Sequence, residues 1–190
     1  MIKHLSWIFN KNHVCPWWLA YSFDNPIRKL FHKPHQMLAP YVREGMTVMD
    51  VGCGMGFFSI GMAALVGDRG RVIAVDLQSK MLAVTKKRAR RAGFENRVHT
   101  HLCQPDAIGV KDTVDFILTF WMAHEVPNQN GFFRQLMANL NPKGKLLIAE
   151  PRMHVGLTNF QEILARARTV GLKLTDQPPI RFSHSAVLEK

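Results

Sequence analysis

The sequence is sparing in cysteine and in acidic residues, and it has no long apolar run. Its three cysteines, Cys15, Cys53 and Cys103, are an odd number, and none stands in a CxxC spacing. That excludes a disulfide framework and argues against a structural zinc site. No stretch reaches the roughly 20 apolar residues needed to cross a bilayer. Near the N-terminus, Asn10, Lys11, Asn12 and His13 interrupt any secretory h-region, so the expectation is a cytoplasmic protein without a membrane span. Acidic residues number 14 against 25 Lys and Arg, for a net charge of +11. The excess is spread along the chain: about +4 over residues 1–45, about +4 over 46–110, about 0 over 111–151 and about +3 over 152–190. Only Lys86-Lys87-Arg88-Ala89-Arg90-Arg91 is dense. It falls in a helical pattern with Met81, Leu82, Thr85, Ala89 and Ala92 on the inner stripe, so a solvated helix face is the first expectation and an RNA-contacting face the second.

Hydrophobic residues make up 47% of the 190 residues, enough for one core in one globular domain. From residue 46 onward, strand and helix patterns alternate. Strands are expected at 47–51, 71–76, 98–103, 114–120, 145–150, 172–176 and 181–188, with helices at 57–65, 79–92, 131–140 and 159–170. Alternation of this kind implies a parallel sheet covered by helices on both faces. The connection between the last two strands, around Pro178-Pro179, is too short for a parallel crossover, so they should pair antiparallel. Residues 1–45 differ in composition. Trp7, Phe9, Trp17, Trp18, Tyr21, Phe23 and Phe31 are interleaved with Pro16, Pro26, Pro34 and Pro40. These residues are expected to form short helices over the carboxyl edge of the sheet, as a lid on a domain spanning 46–190.

The chemistry centres on Asp50-Val51-Gly52-Cys53-Gly54-Met55-Gly56. A strand that ends in Gly-x-Gly-x-Gly and opens into a helix lets the backbone approach a nucleotide closely, at the end of the sheet where open α/β folds bind ligands. Asp76, closing the second strand, is placed to accept hydrogen bonds from ribose hydroxyls. NAD and S-adenosylmethionine (SAM) both fit such a turn. The dinucleotide fingerprint needs glycine at 57, where Phe57 stands. Asp50 separates the two further, because a carboxylate repels a pyrophosphate and favours the sulfonium and ammonium of SAM.

With these residues in place, the sequence resembles the class I SAM-dependent methyltransferases over residues 46–190. The resemblance rests on Val48–Gly56, on Val72-Ile73-Ala74-Val75-Asp76-Leu77 and on Leu140-Asn141-Pro142-Lys143-Gly144-Lys145-Leu146-Leu147-Ile148. It implies a Rossmann-like α/β fold: a seven-stranded, mostly parallel sheet with an antiparallel last strand. It also implies SAM as methyl donor and S-adenosylhomocysteine as product. In that family's pattern Gly52, Cys53, Gly54 and Gly56 pass the methionine and ribose, and Asp76 takes the ribose hydroxyls. Leu77 lies beside the adenine and Asp106-Ala107 reach its amino group, with Met81 and Phe120 expected as further cofactor contacts. Gln104-Pro105 stands where the family commonly has a glycine before that aspartate. The segment Met122-Ala123-His124-Glu125-Val126-Pro127 resembles the small-molecule branch that includes quinone and arsenite methyltransferases.

Methyl transfer needs alignment, exclusion of water and, for a protic acceptor, a base. Alignment supplies about 7–11 kcal/mol and a base roughly 10²–10⁴-fold. His124 is the first candidate base, since an ordinary histidine pKa of about 6.5 suits proton transfer; helix capping is its competing role. Glu125 could orient His124 or the acceptor. Glu150 and His154 fall near the same mouth. No HxxxH or CxxC spacing supports a metal there. The segment after the fourth strand lacks the acidic or amide residue, two prolines and aromatic of nucleic-acid adenine methyltransferases. The cysteines do not suit pyrimidine C5 methylation or an arsenite thiol set. The expectation is methyl transfer to a small-molecule acceptor; an RNA or protein methyltransferase and a non-catalytic SAM-binding protein are the alternatives.

Overall fold

The computed structural model describes residues 31–190. Seven strands form one sheet in the order β3-β2-β1-β4-β5-β7-β6. They are β1 (Thr47–Val51), β2 (Arg71–Asp76), β3 (Val98–Leu102), β4 (Val114–Phe120), β5 (Leu140–Pro151), β6 (Lys173–Asp176) and β7 (Ser183–Glu189). The helices are α1 (Pro34–Leu38), α2 (Phe57–Val66), α3 (Ser79–Arg91), α4 (Gln129–Asn139) and α5 (Leu157–Thr169), with a 3-10 turn at Ala123–Glu125.

Strands β1 to β5 pair parallel. Their central members are apolar runs because both faces are covered. Met49, Val51, Ile73, Val75, Ile117, Leu146 and Ile148 pack toward Phe133 and Leu136 of α4 and Phe160 and Leu164 of α5. Val48, Val72, Ala74, Phe116, Leu118 and Leu147 face Phe58 and Met62 of α2 and Leu82 of α3. The period-two alternation of a strand divides the two sets. Leu38 and Val42 join the second set. This explains why α2 is apolar nearly all round: its outer side is covered by α1, and a Cβ on Gly61 would lie 2.3 Å from Pro34 Cβ.

β7 runs antiparallel to β5 and β6 and lies between them. It is the single reversed strand of the sheet, as the short connection around Pro178-Pro179 requires. Most boundaries shift from expectation by one or two residues, among them the start of α5 at Leu157 and of β7 at Ser183, and two shifts have a visible cause. β5 begins at Leu140 rather than Lys145, because Leu140 already pairs with Val114 before the register shifts and Lys145 meets Phe116. The strand carries its Asn141–Gly144 segment as an irregularity, with Lys143 in a left-handed conformation (φ 64°). α4 begins at Gln129, two residues early, because the Asn128 side chain caps it by accepting the Gly131 N–H at 2.9 Å.

The expected N-terminal lid falls largely on residues 1–30, outside the described residues. Of the remainder, His32 lies at the carboxyl edge, its ring against Phe120 (5.2 Å) and Trp121 (5.3 Å). In the basic segment, Lys86, Lys87, Arg90 and Arg91 are exposed, whereas Arg88 turns inward and donates to the Met55 carbonyl at 3.1 Å.

Candidate active site

The β1–α2 turn is held from three sides. The N–H groups of Gly52 and Cys53 both donate to the Val75 carbonyl, at 2.9 and 3.0 Å. Thr85 of α3 donates its hydroxyl to the Gly54 carbonyl at 2.9 Å. Arg88 fixes Met55 as described above. Gly54 has φ +54° and its would-be Cβ meets nothing within 4 Å. Its missing side chain therefore leaves open space over the turn, and a left-handed φ there suits only glycine without strain. Gly52 (φ +72°) is different: a Cβ would lie 2.7 Å from Met122 Cγ, so the β4 exit is pressed against the turn.

Asp50 lies two residues after Val48, and the strand's alternation points it to the α2 side. There it is buried (2% exposed), and its Oδ2 accepts the Ser59 hydroxyl at 2.5 Å. Its negative charge thus sits beneath the turn, and it also ties β1 to α2. Asp76 closes β2 with its carboxylate over the same turn: Oδ2 accepts the Gly54 N–H and Oδ1 the Gln78 N–H, each at 2.9 Å. Burial raises its pKa above the ordinary carboxylate value, opposed by the N–H groups of Gln78, Gly54 and Leu77. A carboxylate offers about four lone-pair directions, so beside the Gly54, Gln78 and Leu77 N–H groups it keeps capacity for a ribose hydroxyl. An open glycine cradle, an acceptor-only group beside it and a buried negative charge below form a donor–acceptor set that fits SAM. Cys53, inside the turn, is buried, and burial followed by the charges of Asp50 and Asp76 pushes its thiol pKa well up, so it stays protonated.

The residues expected near the adenine follow Asp76 in the chain or are tethered to it. Leu77 follows Asp76 directly and Met81 is buried on α3. Asp106 and Ala107 are exposed in a small turn closed by a Gln104–Ala107 bridge. That turn is tethered to β2 through the Cys103 N–H on the Asp76 carbonyl at 3.1 Å, and to α4 through Gln135 Nε2 on the Asp106 carbonyl at 2.9 Å. Phe120 is 7% exposed, wedged against Phe58 at 4.3 Å and Trp121 at 5.3 Å. It packs the end of β4 against α2.

Beyond Phe120 the chain makes an unusual turn. Trp121 has φ +60°, a costly conformation for a bulky residue that persists only when its surroundings dictate it. Its N–H donates to the Ala149 carbonyl at 2.7 Å, and its indole N–H donates to Ser183 Oγ at 2.8 Å. The turn places Met122 against Gly52 and starts the 3-10 turn that carries His124 and Glu125. Glu150, at the end of β5, is fully buried. Its Oε1 accepts the Ala123 N–H at 2.9 Å, and its Oε2 accepts from His124 Nδ1. Burial pulls the His124 pKa down, but the hydrogen bond and charge of Glu150, with the charge of Glu125, outweigh it and leave the value raised. The His154 ring lies edge-on to His124 at 5.1 Å.

The structure therefore brings His124 and His154 together, with Glu125 on the same turn as His124. It gives Glu150, expected near the mouth, a bond to His124, and adds two residues that were not among the expected site residues: Ser59 and Thr85. The signal for Thr85 was a polar residue on an otherwise apolar helical stripe. The signal for Ser59 was its position on the first turns of α2, within reach of the strand below it. Among the described residues no group of three or more His, Cys, Asp or Glu side chains could hold a metal ion, and no helix is long and apolar enough to cross a membrane.

Comparison with known proteins agrees with this geometry. A ubiquinone/menaquinone biosynthesis C-methyltransferase, UbiE, of Shewanella frigidimarina is 31% identical over 121 residues, covering 63% of this chain and 48% of that protein. The corresponding protein of an Enterobacter species is 30% identical over 110 residues, covering 57% and 44%. The chain thus spans about half the length of these relatives. Among solved structures, a SAM-dependent methyltransferase from Aquifex aeolicus superposes with a TM-score of 0.84 at 23% identity, over 93% of this chain and 99% of that one. Fibrillarin from Aeropyrum pernix, solved with natively bound SAM, gives 0.62 at 16% identity over 79% and 68%. The family described as a methyltransferase domain matches residues 42–175, a span that contains the glycine turn, Asp76, His124 and Glu150, and the chain belongs to that family.

Proposed function

We propose that the protein transfers the methyl group of SAM to a small-molecule acceptor, with His124, Glu125 and His154 on the acceptor side of the site. The observation that carries this reading is the juxtaposition of two elements at the carboxyl ends of β1, β2 and β4: the open Gly54 cradle under Asp76, and the strained Trp121 turn that presses Met122 onto Gly52. Bound there, SAM would supply a methyl group on a sulfonium that is already a good leaving group. Asp76, oriented by the Gly54 and Gln78 N–H groups, would hold the ribose hydroxyls. The buried charge of Asp50 would favour the cationic methionine end and disfavour a pyrophosphate. Met122 and Trp121 would wall the reacting centre from water, which strengthens each electrostatic contact inside it. The segment ahead of α1 would complete the enclosure as a lid, a role suited to small acceptors, while α1 itself covers α2. The UbiE relatives are named for C-methylation in ubiquinone and menaquinone biosynthesis, which supports a small-molecule acceptor for this chain as well.

Titration calorimetry with SAM, S-adenosylhomocysteine and NAD tests the donor, and a mass-detected screen of small acceptors tests the transfer. Binding of SAM and its product without NAD is the expected result. NAD binding with no SAM binding would overturn the reading. A variant lacking residues 1–40 that stays folded and keeps full turnover would remove the lid.

A further inference from the structure

Resting on the methyl-transfer reading, we infer that Glu150 is a positioning residue that locks His124 with its proton on Nδ1, leaving Nε2 as the base for an acceptor that loses a proton on methylation. The argument begins with hydrogen-bond capacity. An ionised carboxylate only accepts. Oε2 of Glu150 lies at hydrogen-bond distance from His124 Nδ1, so that nitrogen carries the hydrogen and the lone pair resides on Nε2. The second oxygen is occupied by the Ala123 N–H at 2.9 Å. One carboxylate thus grips both the backbone and the ring of the same turn, and it is fully buried, so it does not rotate into solvent. The ring is fixed in position as well as in tautomer. A second tether holds the turn from the other side: Gln129 Nε2 donates to the Ala123 carbonyl at 3.0 Å, and Arg166 of α5 donates to Gln129 Oε1 at 3.0 Å.

This arrangement has a chemical consequence. When a protic acceptor attacks, a lone pair on its oxygen or sulfur, or the pair released from C–H in a carbon acid, forms the new bond to the methyl carbon, and the carbon–sulfur pair leaves with sulfur. In a phenol or thiol the X–H pair stays on the acceptor atom. The X–H proton passes to Nε2, and the resulting imidazolium is stabilised by Glu150 directly and by Glu125 nearby. The groups facing His124 are Glu150 on β5, Glu125 on its own turn, the His154 ring after β5, and Arg166 through Gln129. A base held this way has no use with a tertiary amine or thioether, which loses no proton. It suits phenols, thiols and carbon acids.

The test uses the full chain labelled with ¹⁵N-histidine and saturated with S-adenosylhomocysteine, with the His124 signal assigned by its loss in His124→Gln. In the wild type, the neutral ring should show its proton on Nδ1 and titrate above the ordinary histidine range. In Glu150→Gln the side-chain amide donates where the carboxylate accepted, so the tautomer should reverse and the titration move down. A wild-type ring with its proton on Nε2 overturns the assignment outright, with no need of the variant. So does an unchanged tautomer in a folded Glu150→Gln protein. Acceptor class is read separately, with a panel of phenols, thiols and carbon acids set against tertiary amines and thioethers. Turnover confined to the protic set, reduced roughly 10²–10⁴-fold in His124→Gln and Glu150→Gln, supports the inference, and turnover of a tertiary amine or thioether overturns it. An absence of transfer to every probe counts against the methyl-transfer reading, while the tautomer still decides the role of Glu150.

Discussion

Adding one methyl group at Gly54 separates the stability of the turn from its use as a cradle. Gly54→Ala places a Cβ where the structure has nothing within 4 Å, on a backbone with φ +54°. An L-residue in the left-handed region costs about 1–2 kcal/mol, and replacing glycine stiffens the unfolded chain by about 0.4–1 kcal/mol in the opposite direction. The net loss is about 1 kcal/mol, or roughly 2–4 °C in Tm for a domain of this size. Gly93, which follows α3, is the control: it has φ +75° and its Cβ also meets nothing within 4 Å, so Gly93→Ala carries the same backbone cost at a distance from the turn. If the open space at Gly54 is where the donor lies, the two variants should melt alike while only Gly54→Ala loses SAM. The expected loss is tenfold or more, equivalent to about 1.4 kcal/mol. Differential scanning calorimetry gives the first quantity and isothermal titration with SAM the second. Wild-type SAM affinity in Gly54→Ala, with the predicted fall in Tm, would falsify the cradle.

Three further outcomes follow from the same geometry. SAM affinity should weaken as pH falls toward the raised pKa of Asp76, because protonation removes the acceptor that the ribose hydroxyls need; equilibrium dialysis between neutral and mildly acidic pH reads this, and Asp76→Asn should bind weakly with little of that pH dependence. Asp50→Asn should weaken SAM binding, and the bond to Ser59 means it should also destabilise the fold by about 1–2 kcal/mol; an unchanged affinity removes the electrostatic argument. His124 has a raised folded-state pKa, so the folded chain binds its proton more tightly than the unfolded chain. The contribution of that proton to stability is fully present below about 6.5 and is lost as pH rises through the folded value. Urea melts of wild type and His124→Gln across that window should show the stability difference shrinking as pH rises, and a difference that does not vary with pH would refute it.

Much of this was legible in the chain because it depends on local periodicity and local chemistry. Strand and helix alternation, the turn at Gly52–Gly56 and the acceptor Asp76 follow from spacing within a few residues, and they decided the class of fold and of ligand. The short connection before β7 determined that the last two strands pair antiparallel, since no crossover fits it. The tertiary structure decided what depends on partners distant in sequence. β7 lies between β5 and β6 because its apolar residues can be buried on both faces only in the interior of the sheet. The parallel register that pairs Phe120 with Ala149 carries Glu150 next to the turn after β4. A carboxylate 26 residues from His124 thereby becomes its hydrogen-bond partner. The sequence put Glu150 near the mouth without naming its partner; burial makes its charge need one, and the register supplies it. Asp50 shows the same division. Its charge identified the kind of ligand, but only the packing of α2 on β1 showed that the charge acts from beneath the turn while bonding Ser59.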